Sequence, residues 1–266
     1  MSVSAAPGDR LARTTPAILL IAVAAACWAL TARRMQGMDM GPGTDLGGAG
    51  WFAGVWATMM AAMMLPSLLP MALAGAAAGR SAGAGRSAGA PAAGGRTARA
   101  GAFAVGYLIT WVGAGMLAYT LFEGVRALDL AWLAWHRAGQ YLAGGVIVGA
   151  AVYELTPLKA ACLRRCRNPE LLVLGRRRRP GVSGALRMGA EHGGFCVGSS
   201  WALMAALFAL GVMNVAWMIV MAVLVAVEKL LPWNRVAIGT VAAFIAVLGL
   251  AVALAPAQVP GLTIPA

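Results

Sequence analysis

Residues 51–77 read WFAGVWATMMAAMMLPSLLPMALAGAA, an apolar stretch without a charged side chain. A helix needs roughly 20 such residues to cross a hydrocarbon core about 30 Å thick. In lipid, the backbone N–H and C=O groups must bond each other within the segment, which favours a helix over an open strand. The stretch therefore predicts a transmembrane helix.

The same pattern recurs along the whole chain. The chain has 266 residues, of which 61% are hydrophobic and only 11% are charged, whereas a soluble domain usually carries about 25% charged residues. The other apolar blocks cover residues 16–31, 101–122, 141–155, 184–210, 213–231 and 235–255, each to within a few positions. We therefore predict an all-α fold, a single polytopic membrane domain over residues 1–266 with about seven transmembrane helices.

The net charge of +12 comes from arginines gathered between the apolar blocks. Residues 79–100 form a Gly/Ala/Arg-rich segment without periodicity, which predicts a flexible linker. Residues 156–183 form a second basic segment. Positive loops lie on the cytoplasmic side, so both segments and the N-terminus are predicted to be cytoplasmic. Such loops meet anionic lipid, whereas nucleic-acid binding would need a soluble basic face, so no nucleic-acid partner is predicted.

The second basic segment opens with a short predicted helix. Thr156 is suited to the N-cap position and Pro157 to the first helical position. The helix is predicted to end at Asn168, before a proline. Glu154, just ahead of it, is expected to pair with Lys159 or with an arginine.

The second apolar block carries five methionines, four of them within residues 59–64. Met59, Met60 and Met63 recur with Trp56 at three- and four-residue steps, so they share one face, and Met64 follows directly. A thioether is a soft, neutral ligand that suits Cu(I) and enters hydrocarbon without the cost of a charge. The alternative is plain packing, because methionine fills irregular gaps. Both interpretations stay open.

Two pairs of candidate ligands have helical spacing. His192 and Cys196 lie one turn apart on the fifth predicted span, and Cys162 and Cys166 lie one turn apart in the basic segment. Both pairs are expected at the cytoplasmic end of the bundle. If they converged, they would form a Cys3His set suited to zinc or Cu(I). The alternative is a buried cysteine beside a hydrogen-bonded histidine.

The sixth predicted span carries Asn214, Met218 and Glu228 on one face. Polar and acidic groups are costly inside a membrane and usually have a function. Two structural alternatives remain: Asn214 bonds a neighbouring helix, and Glu228 forms an ion pair with the adjacent Lys229 at the helix end.

No catalytic constellation is visible in the sequence. The chain has two histidines, His136 and His192, and neither has a persuasive nucleophile beside it. The Gly-rich segment lacks the Lys-Ser/Thr end of a phosphate-binding loop. A membrane enzyme that uses Glu228 as an acid or base ranks last, and we predict that the chain is not an enzyme.

The candidate residues fall within motifs of a known family. The chain resembles bacterial predicted metal-binding integral membrane proteins of unknown function, one branch of which is associated with copper delivery to tyrosinase. The resemblance implies copper handling in the bacterial inner membrane. The motifs are Trp56-x-x-Met59-Met60-Ala61-Ala62-Met63-Met64-Leu65-Pro66, Tyr153-x-x-x-Pro157-x-Lys159-x-x-Cys162-Leu163-x-x-Cys166-Arg167-x-Pro169, His192-Gly193-x-x-Cys196-x-Gly198-x-x-Trp201, and Gly211-Val212-Met213-Asn214-x-x-Trp217-Met218 continuing to Glu228-Lys229.

The chain departs from the family at one place. The family often has Cys-x-Gly-Cys-Cys-Trp where this chain has Ser199 and Ser200 in place of the last two cysteines. Two soft ligands are thereby replaced with hydroxyl groups.

These observations give two competing functions. The first is a membrane-embedded copper-handling protein, a chaperone or small transporter that delivers Cu(I) for metalloenzyme maturation, with zinc as the alternative metal. Its partners would be the lipid bilayer and a copper-dependent enzyme or soluble copper carrier. The second is a non-metal assembly factor whose helix faces pack against a partner membrane protein. In that case changes at Trp201 or Gly211 would abolish function, whereas the replacement of a single candidate ligand would leave function intact.

Overall fold

The computed structural model describes residues 7–36, 45–68, 93–128, 135–168, 181–212, 214–231, 234–260 and 262. Within these ranges the chain forms eight α-helices and no strand, which confirms the predicted all-α bundle. The helices are α1 (Pro7–Met35), α2 (Ala49–Met64), α3 (Ala93–Ala127), α4 (Gln140–Glu154), α5 (Pro157–Arg167), α6 (Gly181–Leu210), α7 (Val215–Leu230) and α8 (Asn234–Leu254).

A helix is present at each of the seven predicted positions, but not every one of these helices is long enough to be a membrane span. Among the described residues, five helices are long and apolar enough to cross a membrane: α1, α2 with the 3-10 turn that follows it, α3, α6 and α8. Helices α4 and α5 together make a sixth candidate span, bent by 66°. Helix α7 has 16 residues, about 24 Å at 1.5 Å per residue. Length and composition thus give five or six spans.

Two helices begin earlier than predicted. Helix α1 starts at Pro7 rather than Pro16, and α3 starts at Ala93, inside the predicted linker 79–100. Arginine, leucine and alanine in these extensions favour helix, whereas Pro16 inside α1 and the two glycines at the start of α3 do not. The remainder of the predicted linker lies outside the described residues.

The second half of α2 lies in the interior of the bundle. Residues 59–65 are buried on every side, and α2 contacts α1, α3 and α7. A helix that is apolar all round belongs in such a position. The methionine face predicted for this helix is therefore part of a fully enclosed segment.

Glycines allow two pairs of helices to approach closely. At the crossing of α3 and α6, a Cβ on Gly106 or Gly189 would overlap the facing backbone. At the crossing of α4 and α8, a Cβ on Gly144 would lie 2.7 Å from the carbonyl oxygen of Gly249. Small residues at such contacts are typical of packing between membrane helices.

The outer faces of the helices expose large apolar side chains. Leu117 and Leu121 on α3 are 63% and 64% exposed, and Val247 and Leu254 on α8 are 66% and 77% exposed. Soluble monomers rarely expose extended apolar surfaces of this kind. These faces are suited to lipid and mark the chain as a membrane protein.

Candidate metal site

Helix α5 is held against the middle of α6. The Thr156 hydroxyl accepts a hydrogen bond from the Lys159 N–H at 3.3 Å, which confirms the predicted N-cap. The Tyr153 hydroxyl donates to the Gly198 carbonyl oxygen at 2.5 Å. A Cβ at Gly198 would lie 2.8 Å from the Sγ of Cys162. Cys162 therefore fits against α6 at a point where α6 has no side chain.

Three sulfur-bearing side chains meet where α2, α5, α6 and α7 come together; we call Met64, Cys166 and Cys196 the sulfur cluster. Cys196 is buried, at 1% exposure, and its thiol interacts with the thiol of Cys166 on α5. The Cys166 Sγ also lies 3.9 Å from the hydroxyl of Ser199. Met64 belongs to the cluster because the same lysine ammonium reaches its sulfur and that of Cys196.

That ammonium is on Lys229, in the last residues of α7. The Lys229 Nζ donates to the Cys196 Sγ at 2.8 Å and lies 3.8 Å from the Met64 Sδ. The Tyr107 hydroxyl shares a second hydrogen bond with the Cys196 Sγ at 2.9 Å. Sequence reasoning considered Lys229 only as a partner of Glu228 and did not single out Tyr107. The available signals were a lysine at the end of an apolar helix and a tyrosine inside an apolar span.

A buried ion network lies beside the sulfur cluster; it consists of Glu154, Lys159 and Glu228. Lys159 forms an ion pair with Glu154, as expected, and its Nζ lies 2.5 Å from the Glu228 Oε1. All three side chains are at most 1% exposed. Glu228 therefore pairs across the bundle with α5 and not with its neighbour Lys229. Arg167 donates to the Glu228 carbonyl oxygen at 3.3 Å, which neutralises the C-terminal end of α7.

His192 lies in an aromatic environment one turn from Cys196. Its ring centroid is 5.8 Å from that of Phe103 and 5.9 Å from that of Tyr107, and the side chain is 4% exposed. The Nδ1 atom has no hydrogen-bond partner among the described residues. Burial without a partner is uncommon for an imidazole nitrogen, so His192 keeps one ring nitrogen available in the interior.

The predicted four-residue ligand set is only partly brought together. In the described part of the chain, no three His, Cys, Asp or Glu side chains are close enough to hold one ion. Cys166 and Cys196 approach each other from different helices, while Cys162 fits against Gly198 and His192 faces the aromatic rings. One cysteine of each predicted pair, Cys166 and Cys196, thus meets the other, and the thioether of Met64 lies at the same cluster.

The predicted methionine ligands are all in the core. Met59, Met60, Met63 and Met64 are at most 5% exposed, and Met218 on α7 is fully buried. Of the four on α2, Met64 has its sulfur placed at the cluster by the contact with Lys229. The others pack in the interior, where methionine fills irregular space.

Asn214 has a local role in the turn between α6 and α7. Its side-chain oxygen accepts hydrogen bonds from the backbone N–H groups of Ala216 at 3.0 Å and Trp217 at 3.2 Å, so it is the N-cap of α7. Gly211, with φ of 103°, supplies the left-handed residue that ends α6. These bonds connect Asn214 with its own helix, α7.

The two serines in place of family cysteines are buried beside the sulfur cluster. Ser199 and Ser200 are each 1% exposed, and the Ser199 hydroxyl donates to the Cys196 carbonyl oxygen at 2.9 Å. Hydroxyl oxygen is a harder ligand than sulfur. The sulfur atoms that meet here are therefore those of Cys166, Cys196 and Met64.

Comparison with known proteins agrees with this soft-ligand chemistry. The PpoB2 family, described as copper chaperone, matches residues 53–252. The match runs from the methionines of α2 through most of α8 and includes every residue of the sulfur cluster and the ion network. No curated protein and no solved structure matches the chain. Because the family matches most of its length, the chain belongs to the PpoB2 copper chaperone family.

Proposed function

We propose that this protein is a membrane-embedded copper carrier that binds Cu(I), as cargo, at the sulfur cluster of Met64, Cys166 and Cys196. The observation that supports the proposal is the meeting of two thiols and one thioether at a buried junction of four helices. Soft sulfur ligands select Cu(I) among biological metals. Family membership supports a copper-handling role independently.

Thioether sulfur and thiol sulfur have different roles in the proposal. The α2 methionines are neutral thioethers, which hold Cu(I) weakly and let it move through an apolar interior. The thiols of Cys166 and Cys196 become thiolates when they bind metal and form the tighter site. In the proposal, the carrier acts as a chaperone or small transporter and transfers Cu(I) to a copper-dependent enzyme or to a soluble copper carrier.

We place the protein in the bacterial inner membrane, with the N-terminus in the cytoplasm. The arginines of α5, among them Arg164 and Arg165, support a cytoplasmic position for the end of the bundle that contains them. The carrier has no enzymatic role in this proposal. Glu228, the acid considered for catalysis, has its carboxylate paired with Lys159.

The test is a Cu(I) competition titration of the purified protein in mild detergent, under anaerobic conditions, with a coloured Cu(I) chelator. The wild type is expected to hold one Cu(I) against the chelator. The Cys166→Ser/Cys196→Ser variant is expected to lose it, because a serine oxygen is a poor ligand for Cu(I). Cys27→Ser is the matched control, since Cys27 is a free cysteine on α1, away from the cluster.

The outcomes separate the proposal from its rival. Retention of Cu(I) by the double variant would show that the sulfur cluster is not the site. A wild type that holds no more Cu(I) than the double variant, yet still supports maturation of a copper enzyme in cells, would favour a non-metal assembly factor. Strong Zn(II) binding without Cu(I) binding would make zinc the cargo.

A further inference from the structure

We propose that Lys229 is the residue that makes the sulfur cluster selective for a monovalent metal, by supplying one fixed positive charge to it. The inference rests on the proposed function, because it concerns the same cluster. It assigns to Lys229 a role in specificity that is separate from metal ligation.

The contact geometry places the Lys229 charge at the metal ligands. The ammonium donates to the Cys196 Sγ at 2.8 Å and lies 3.8 Å from the Met64 Sδ. The lysine comes from α7, whereas the sulfur atoms come from α2, α5 and α6. A long alkyl chain therefore brings a positive charge to a point in the interior that the lysine's own helix does not occupy.

The neighbouring charges cancel one another without Lys229. Glu154 and Glu228 carry two negative charges, and Lys159, which contacts both, carries one positive charge. Arg167 adds the second positive charge at the carbonyl end of α7, where it bonds the Glu228 carbonyl oxygen. Among these charged residues, Lys229 is the one whose ammonium contacts sulfur atoms of the cluster, so its charge acts directly on the metal site.

The charge on a loaded site depends on the metal. Cysteines bind metals as thiolates, so two cysteines contribute two negative charges and the thioether contributes none. A Cu(I) complex then has a net charge of −1, which the Lys229 ammonium neutralises. A Zn(II) complex on the same ligands is neutral and leaves the ammonium as an uncompensated buried charge, which is costly. Lys229 therefore favours Cu(I) over Zn(II).

The size of the change in metal selectivity follows from the distance between the two charges and from the effective dielectric constant around them. For two unit charges about 5 Å apart at an effective dielectric constant of about 20, the interaction changes an equilibrium constant by roughly 300-fold. The loss of Lys229 should thus lower the ratio of Cu(I) affinity to Zn(II) affinity by about that factor. The loss of a residue that only stabilises the fold would weaken the binding of both metals alike.

The experiment measures both affinities on the same full-length protein in detergent, with a Cu(I) chelator in one titration and a Zn(II) chelator in the other. Lys229→Leu removes the charge and adds no ligand, and Lys229→Gln is a second neutral variant. Lys229→Arg keeps the charge. Arg187→Leu is the matched control for a lost positive charge, because Arg187 is an exposed residue of α6.

We expect the Cu(I)/Zn(II) affinity ratio to fall roughly 300-fold in the neutral variants and to stay within a few-fold of the wild-type value in Lys229→Arg and Arg187→Leu. An unchanged affinity ratio in either folded neutral variant overturns the role of Lys229. An equal loss of affinity for Cu(I) and Zn(II) also overturns it. Failure of the wild type to bind Cu(I) at Cys166 and Cys196 refutes instead the proposed function.

Discussion

Replacement of Lys159 by methionine should destabilise the bundle more than any exposed charge change. Methionine has nearly the same length but no ammonium. In the variant, the carboxylates of Glu154 and Glu228 would remain buried, at 0% and 1% side-chain exposure, without the cation that contacts both of them. Because burial of an unpaired charge is costly, the free energy of unfolding falls in the variant by far more than the small net contribution of an ion pair.

The magnitude can be worked out from this geometry. Removal of one partner from a buried ion pair costs about 3–5 kcal/mol. For a domain of this size, each kcal/mol corresponds to about 2–4 °C in the thermal midpoint. We therefore expect the midpoint of the Lys159→Met protein to fall by about 6–20 °C.

The assay is thermal unfolding in one detergent at fixed pH, followed by intrinsic fluorescence. Arg187→Met is the matched control, because its ion pair with Glu191, at 3.6 Å, is on the surface and the Arg187 side chain is 60% exposed. Such surface pairs contribute about 0–1 kcal/mol. The control should thus melt within a few degrees of the wild type.

A second set of variants tests the cause of the loss. If unpaired carboxylates are responsible, Glu154→Gln and Glu228→Gln introduced together into Lys159→Met should restore much of the stability, since neutral amides cost less to bury than charges. A Lys159→Met protein that melts within about 2 °C of the wild type would refute the reasoning, because the network would then contribute no more than a surface pair.

Three further changes test other parts of the structure. Trp56→Phe removes the hydrogen bond from the indole Nε1 to the Trp111 carbonyl oxygen at 2.9 Å, and unfolding measurements should show a loss of about 1 kcal/mol. Gly189→Leu places a side chain against the backbone of α3, so gel filtration in detergent should yield no monodisperse protein. The pKa of the Asp45 carboxyl is below its ordinary value, chiefly because Asp45 accepts the Gly47 N–H at 2.9 Å. This stabilisation is present above the unfolded pKa and is lost as pH falls through the lower folded pKa. An NMR titration should therefore give the Asp45 carboxyl a midpoint below that of an ordinary aspartate, and a midpoint at or above the ordinary value would contradict this reasoning.

Periodicity was enough to predict which side of α7 faces the interior. The face proposed from the sequence contained Asn214, Trp217, Met218 and Glu228, and all but the capping Asn214 are buried in the structure. A 16-residue helix with an apolar stripe can satisfy its packing in few ways, so the 3.6-residue repeat carries most of the information. The start of α5 was equally predictable, because the Thr156 cap is a local interaction.

The partners of the charged residues were not predictable in the same way. Lys159 and Glu228 are 69 residues apart in the chain, and their contact depends on how α5 lies between α4, α6 and α7. Sequence proximity suggested a pair between Glu228 and Lys229, but adjacent residues on a helix point in different directions. Glu228 faces α5, whereas Lys229 extends toward Cys196 on α6.

The bend between α4 and α5 accounts for two contacts at once: that of Cys166 with Cys196 and that of Lys159 with the two carboxylates. If α4 had continued straight, the 11 residues of α5 would extend the helix by about 16 Å and would carry Cys166 away from α6. The 66° bend turns α5 back against α6 instead, which brings Cys166 to Cys196. The same bend forces Lys159 into the interior, where only carboxylates can balance its charge. Lys159 and Cys166 lie on the same helix, so the bend that brings Cys166 to the sulfur cluster also places Lys159 between the carboxylates of Glu154 and Glu228.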